Sequence, residues 1–216
     1  IDVGGESTKP GVERVSMDEE LSRVIPVIHA LSKAGAMVSV DTMRAEVAAL
    51  AVASGARIIN DVSGGLADEA MHATAAALKA QYICMHWRGQ SKNMDSLAVY
   101  DDVTSEVIAE LTKQVASALL AGIEPTRLVI DPGLGFAKNA EQNWELLRNI
   151  DKFKELGFPI LVGGSRKRFL GGNDPLERES ASIALTTWLA TKDIWGVRTH
   201  TVKPHVDAIR TVGQIA

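Results

Sequence analysis

The sequence predicts an α/β fold of the (β/α)8 type, a TIM barrel lacking its first strand and helix. Three observations carry this expectation. Short apolar runs alternate with longer amphipathic segments along the chain. The apolar runs are too uniformly hydrophobic to have a wet face, the pattern of a parallel sheet covered by helices. Nearly every run also ends in polar or charged side chains: Asp41, Asn60 with Asp61, His86, Asp131, Ser165 to Lys167, and Arg198 with His200. A doubly wound open sheet gathers its ligand groups at one switch point, whereas a barrel takes them from the carboxyl ends of most strands. The even spread selects the barrel.

The predicted strands are 1–4, 37–41, 57–61, 81–86, 127–131, 159–163 and 197–202. Helices are expected over 17–34, 43–53, 68–79, 102–121, 141–155 and 178–191, with a last one from about 204. Ser16 with Glu19 three residues on reads as a capping box, and Asn139 precedes an acidic first turn. Seven strands fall one short of a closed barrel, and 216 residues fall short of the about 250 that such barrels usually need. The deficit matches one βα unit at the N-terminus, so residues 1–216 read as a single, N-terminally incomplete barrel domain.

Composition narrows the function. The chain is 46% hydrophobic and 23% charged with a net charge of -4, ordinary for a soluble globular domain. The acidic balance argues against nucleic-acid binding, where a basic footprint supplies the main affinity. The single cysteine, Cys84, forbids an internal disulfide and fits a reducing, cytoplasmic setting. No apolar run approaches the length of a membrane span, so no membrane partner is expected.

Asp41 in VSVDT and Asp131 in LVIDPG each follow an apolar run. A carboxylate buried without donors costs several kcal/mol, roughly, so both belong at the rim. A helix N-cap is the competing role for either one. With Asn60 they supply two acceptors and an amide around one mouth, a set suited to a flat heterocycle with N–H and C=O edges. DPGLGFAK is not a dinucleotide fingerprint, because Lys138 stands where the third glycine would fall; it is either a tight strand-to-helix loop with Phe136 packing over it, or a loop that makes Phe136 and Lys138 rim residues. His86 reads as a satisfied core histidine, and no second His or Cys at metal-ligand spacing accompanies it. In ESTKPG, Thr8 and Lys9 face the same mouth. Arg198 and His200, two apart on a strand, share one face and could clamp an anion. Arg166, Lys167 and Arg168 form three successive cations at the end of a buried strand, either a solvated loop or one wall of an anionic ligand's site.

In order along the chain, IDVGGEST with its following PG, SVDT, INDVSGG, MH with RG, DPGLGFAKN, VG with SRK and F, and R with H resemble the dihydropteroate synthase family. Each motif alone is weak; the ordered set is specific and spans essentially the whole chain, with an actinobacterial flavour in SVDTMRAEVA, MHWRG and SRKRFLG. The resemblance implies a (β/α)8 transferase of folate biosynthesis that condenses 6-hydroxymethyl-7,8-dihydropterin pyrophosphate with p-aminobenzoate. It implies Mg2+ as cofactor, a cytoplasmic homodimer when complete, and the role of sulfonamide target. It assigns pterin binding to Asp41, Asn60, Met85, Asp131, Phe136 and Lys167, with Asp131, Lys167 and Asp41 central to catalysis. Pyrophosphate falls to Lys9, Arg198 and His200, and p-aminobenzoate to Thr8, Pro10, Ser165, Lys167 and the start of a helix after Ser165.

Three departures qualify the match. The family's N-V-T-P-D-S-F-S-D segment, whose Asn helps hold pyrophosphate and metal, is not present. That Asn is expected upstream of Ile1, so no metal ligand is expected within 1–216 and this stretch alone is expected to be inactive. Lys9 stands where the family has Arg, keeping the charge but losing the bidentate fork. Thr201 stands where the family has an Asp after the histidine that could orient it, which leaves the protonation of His200 open. A pterin-dependent methyltransferase and a noncatalytic pterin-binding paralogue are the alternatives.

Overall fold

The computed structural model describes residues 1–9, 11–90 and 92–215. Seven strands are present among them: β1 (Asp2–Gly4), β2 (Ser39–Asp41), β3 (Ile58–Asp61), β4 (Gln81–Met85), β5 (Leu128–Asp131), β6 (Leu161–Val162) and β7 (Gly196–Val197). The helices are α1 (Met17–Lys33), α2 (Ala45–Ala53), α3 (Met71–Leu78), α4 (Val103–Leu120), α5 (Ala140–Arg148), α6 (Ile150–Lys154), α7 (Glu179–Ala190) and α8 (Lys203–Ile215). β1 to β5 pair in chain order, every pair parallel, and β6 pairs with β7. A parallel bridge between Ile130 and Ile160, with the Ile130 N–H donating to the Pro159 carbonyl at 2.9 Å, carries the sheet from β5 into β6. Strand order equal to chain order, with helices in the crossovers, is the wall of a (β/α) barrel.

The alternation along each strand explains why the strands read as continuously apolar. Val40, Ile59, Tyr82, Cys84, Ile130 and Val162 point outward into the main core, against helix residues such as Val24, Ile28, Val47, Leu111 and Leu146. Ile83, Val129 and Leu161, with Ile58 packed on them, form a separate inward cluster. Both faces are therefore buried, as a parallel sheet requires. α1 shows the matching helical spacing: Glu20, Val24 and Ile28 are its buried row.

Several boundaries differ from expectation. The first strand, expected from Ile1, begins at Asp2. Ile1 is exposed, although its amino group donates to the Met37 carbonyl at 2.6 Å and its carbonyl accepts the Ser39 N–H at 2.9 Å. The helix expected over 141–155 breaks at Asn149 into α5 and α6. Ser16 caps α1 by accepting the Glu19 N–H at 3.2 Å, but the Glu19 carboxylate turns to Arg23 at 2.8 Å, so the box is half made. The complete capping box is Asn139 with Gln142. The strand expected over 197–202 contains only Val197 of those residues, and Arg198 and His200 lie in the loop beyond it. Ser165 is followed by a 3-10 turn, Arg168–Leu170, and the next α-helix begins only at Glu179. Around Ser16, Asn149 and Ser165, polar side chains compete for backbone groups that the apolar pattern alone would give to the element.

Candidate active site

The inward rows end in polar groups at the carboxyl edge. Asp41 pairs in register with Asn60, and Met85 with Asp131. Asp41, Asn60 and Asp131 are all buried. Their polar atoms are held as follows. Arg198 Nη2 donates to Asp41 Oδ2 at 3.1 Å, and Arg198 Nε donates to Asp2 Oδ2 at 2.5 Å. Asn60 Nδ2 donates to that same Asp2 oxygen at 3.1 Å, and Ser39 donates to the other Asp2 oxygen. Asp131 Oδ1 accepts the Gly133 N–H at 2.7 Å.

Burial governs the electrostatics. Desolvation, reinforced by the neighbouring Asp2 charge and opposed by Arg198, pushes Asp41 up to about 7. Desolvation also raises Asp131, against the Gly133 N–H and the Lys167 charge. Lys167 is lowered by burial to about 8, with Asp131 opposing the shift. Burial works against the Arg198 charge, but Asp41 and Asp2 outweigh it and hold the guanidinium above its usual value. Two carboxyls with raised values facing a lysine with a lowered one describe a site where burial works against charge on each group.

Lys167 lies along the DPGLGFAK loop. Its ammonium donates to the Leu134 carbonyl and sits 4.6 Å from the centre of the Phe136 ring. Gly135, at φ +74°, makes this possible: a Cβ there would lie 2.9 Å from Lys167 Cδ. Met85 joins Met43 and Val62 in an apolar patch against which Phe136 and Trp87 pack. A planar ligand between this patch and the Asp41–Asn60–Asp131 edge would meet apolar surface on its face and polar groups on its rim, the composition of a small-molecule pocket.

The anion side is built on the next loops. Ser165 is buried and its Oγ lies 3.0 Å from His200 Nδ1, while the His200 backbone N–H also donates to it at 3.3 Å. His200 is lowered by desolvation and then by the cations Arg166, Arg198 and Lys9 around it. Lys9 is exposed and Thr8 half-buried; their loop is tied down by Glu6, which accepts from Arg14 Nη2 at 2.7 Å. Pro10 lies outside the described residues. Arg166 Nε donates to Glu179 at 2.8 Å, and Arg168 is 3.6 Å from Asp95, so only the middle cation of the SRKR run faces the mouth. Arg198 and His200 do not form one clamp on a strand face: Arg198 turns to Asp2 and Asp41, and His200 to Ser165. Thr201 donates its hydroxyl to Glu179. A hydroxyl suits that position, where an aspartate would face a like charge, and Ser165 supplies the orientation of His200 that residue 201 does not.

Two parts of the site escape the sequence reading. Asp2 is the hub of Arg198, Asn60 and Ser39; its only sequence signal is a strand carboxylate two residues before Gly4, on the inward parity. Lys138 is not a rim residue but is 7% exposed behind the loop, with its side-chain nitrogen against His86. The raised Asp61 has a local role, accepting from Ser63, Gly65 and Tyr82.

Comparison with known proteins places the chain in a family. The sequence model of one family, described as pterin binding enzyme, matches residues 1–200. The dihydropteroate synthase of Mycobacterium leprae is 48% identical over 99% of this chain and 78% of its own length. That of Synechocystis is 47% identical over 82% of this chain and 63% of its own. Among solved structures, Yersinia pestis dihydropteroate synthase with a sulfonamide drug complex superposes with a TM-score of 0.95 at 35% identity, covering 99% of this chain and 79% of that one. The Thermus thermophilus enzyme in complex with 4-aminobenzoate gives 0.93 at 40% identity, covering 100% and 83%. The Xanthomonas albilineans enzyme in complex with 7,8-dihydropteroate gives 0.88 at 37%, covering 99% and 78%.

Proposed function

The chain belongs to the pterin binding enzyme family, and from that premise we propose that it is a dihydropteroate synthase. It condenses 6-hydroxymethyl-7,8-dihydropterin pyrophosphate with p-aminobenzoate to give 7,8-dihydropteroate and pyrophosphate. The observation that carries this is the convergence of Asp41, Asn60, Asp131 and Lys167 at one strand edge, with Arg198 bonded to Asp41 and the donor-bearing His200 and Lys9 on the loops beside it.

The pterin presents N–H donors to Asp41 and Asp131 and hydrogen-bonds Asn60, with Lys167 reaching the ring and Met85 and Phe136 against its face. The C–O bond between the pterin methylene and pyrophosphate breaks, and the leaving charge falls to Arg198, His200 and Lys9. The buried Asp131 carboxyl and the ring's own electrons offset the positive character left on the methylene carbon. The p-aminobenzoate nitrogen, held through Thr8, Pro10, Ser165 and Lys167, forms the new C–N bond and gives its proton to solvent. Orientation supplies most of the help, since an arylamine needs no strong base.

Mg2+ fits as a companion of the substrate's pyrophosphate. Among the described residues no group of three or more His, Cys, Asp or Glu is placed to hold a metal ion. A homodimer belongs to the same reading, with Trp195, Val202, Ile209 and Ile215 exposed around α8 as apolar surface for it. The buried free thiol of Cys84 fits a reducing cytoplasm, and no described helix is long and apolar enough to cross a membrane. Incubating the full-length protein with both substrates and Mg2+ is expected to release pyrophosphate in step with dihydropteroate. Release of neither would overturn the proposal, and methyl transfer from methyltetrahydrofolate would favour a methyltransferase.

A further inference from the structure

We propose that Lys138, backed by His86 and Glu110, is a positioning residue that holds the 132–137 loop in its active shape without touching either substrate; this rests on the synthase reading above. Lys138 Nζ lies 2.9 Å from His86 Nδ1, 2.9 Å from the Phe136 carbonyl and 3.1 Å from the Gly133 carbonyl. Three acceptors match the three N–H donors of one ammonium. On the far side, His86 Nε2 lies 2.9 Å from Glu110 Oε2, and Arg88 holds the other Glu110 oxygen at 2.6 Å. The partners assign the tautomer: Nε2–H donates to the carboxylate, leaving the Nδ1 lone pair for Lys138. His86 stays neutral, lowered to about 4 by burial and then by Lys138, and Glu110 is held ionised at about 2 chiefly by the His86 hydrogen bond.

A buried cation is expensive: burial, and then the Lys167 charge, lower Lys138 well below the ordinary lysine value. The loop explains why a lysine is kept there. Gly133 at φ +71°, Gly135 at φ +74° and the non-glycine Ala137 at φ +49° put three of the loop's residues in the left-handed region. The two glycines adopt this region freely, but a non-glycine such as Ala137 stays in it only where its surroundings over-determine it. Lys138 grips two carbonyls of this loop, and each belongs to a residue with a task. The Gly133 N–H is the donor to Asp131, and Phe136 carries the ring beneath Lys167. The loop is thus gripped by Lys138 from behind and by Lys167 from the mouth. Removing Lys138 frees both carbonyls and lets Asp131, Phe136 and Lys167 drift together.

The test uses K138M, H86L and H86Q in the full-length protein, the last keeping an acceptor for Lys138. K138M and H86L are expected to lose about 100-fold in kcat, the cost of roughly ångström-scale misplacement. H86Q is expected to restore most of the loss. The Gly133 amide resonance in 15N-resolved NMR should shift in K138M and H86L and stay near its parent position in H86Q. Unchanged kcat, or an unmoved Gly133 amide, overturns the inference, as does an H86Q variant no better than H86L. If K138M fails to unfold cooperatively, the two His86 variants decide alone. A parent protein that makes no dihydropteroate defeats the synthase reading instead, while the amide comparison still judges the loop.

Discussion

Arg198 and Asp41 stand 157 residues apart in the chain, yet Nη2 of one lies 3.1 Å from Oδ2 of the other. Arg198 follows β7, Asp41 ends β2, and the same guanidinium also reaches Asp2 in β1. The pair spans the wall from its last strand to its first two. It also sets the charge of the mouth, because Arg198 is the cation that opposes the burial of Asp41.

Asp41 should therefore titrate near neutrality. Its folded value of about 7 lies above the ordinary 3.8, so between these values the folded state holds a proton that the unfolded chain has lost. Stability from this group is present below pH 4 and falls as pH rises to about 7. Asp41→Asn should flatten that dependence, gaining on the parent in thermal unfolding at pH 8 relative to pH 5, while losing pterin affinity. In the parent, a pterin donating N–H groups to Asp41 should release a proton on binding near pH 6.5, read by calorimetry in two buffers of different ionisation enthalpy. Proton uptake would contradict it.

Gly135→Ala should be costly for two reasons. The φ of +74° disfavours any Cβ, by about 1–2 kcal/mol, and the methyl would meet Lys167 Cδ at 2.9 Å. Urea unfolding should show the first effect. A fall in kcat/KM beyond that of a Gly157→Ala control should show the second, since Gly157 has φ +79° with nothing near its Cβ position.

Arg44→Ala should destabilise far more than a surface change. Glu20 is fully buried, and its carboxylate is held by Arg44 and by the Thr42 hydroxyl at 2.6 Å. Removing one partner of a buried pair strands the other, at a cost of about 3 kcal/mol. Arg44→Ala with Glu20→Gln should recover part of it, and a double-mutant cycle in urea measures how much.

Ser165→Ala should disturb two subsites together. Ser165 Oγ orients His200 through its ring and its backbone N–H, and in the proposed function it also contacts p-aminobenzoate. Steady-state kinetics should show both KM values rising, by about 10-fold for one lost hydrogen bond to a charged group, whereas His200→Ala should raise only that of the pterin pyrophosphate.

The strand ends are legible in the sequence because a polar residue closing an apolar run has few places to go in a parallel sheet. Asp41, Asn60, Asp131 and Lys167 all reach the mouth by that logic. The run of three cations is ambiguous in sequence; the fold divides it, giving Arg166 to Glu179 and Lys167 to the Leu134 carbonyl. Lys138 reads as a rim residue because nothing local says that a loop lysine turns under its own loop toward a histidine 52 residues away.

Alternating apolar runs and their polar ends determine the class of the fold and the edge that carries the site, because burial on both faces is imposed strand by strand. Which charge answers which is decided only in three dimensions. Arg198 to Asp2 and Asp41, His200 to Ser165, and Lys138 to His86 are contacts across the barrel wall or behind a loop. Coulomb and hydrogen-bond energies depend on separation in space, and the sequence records separation only along the chain.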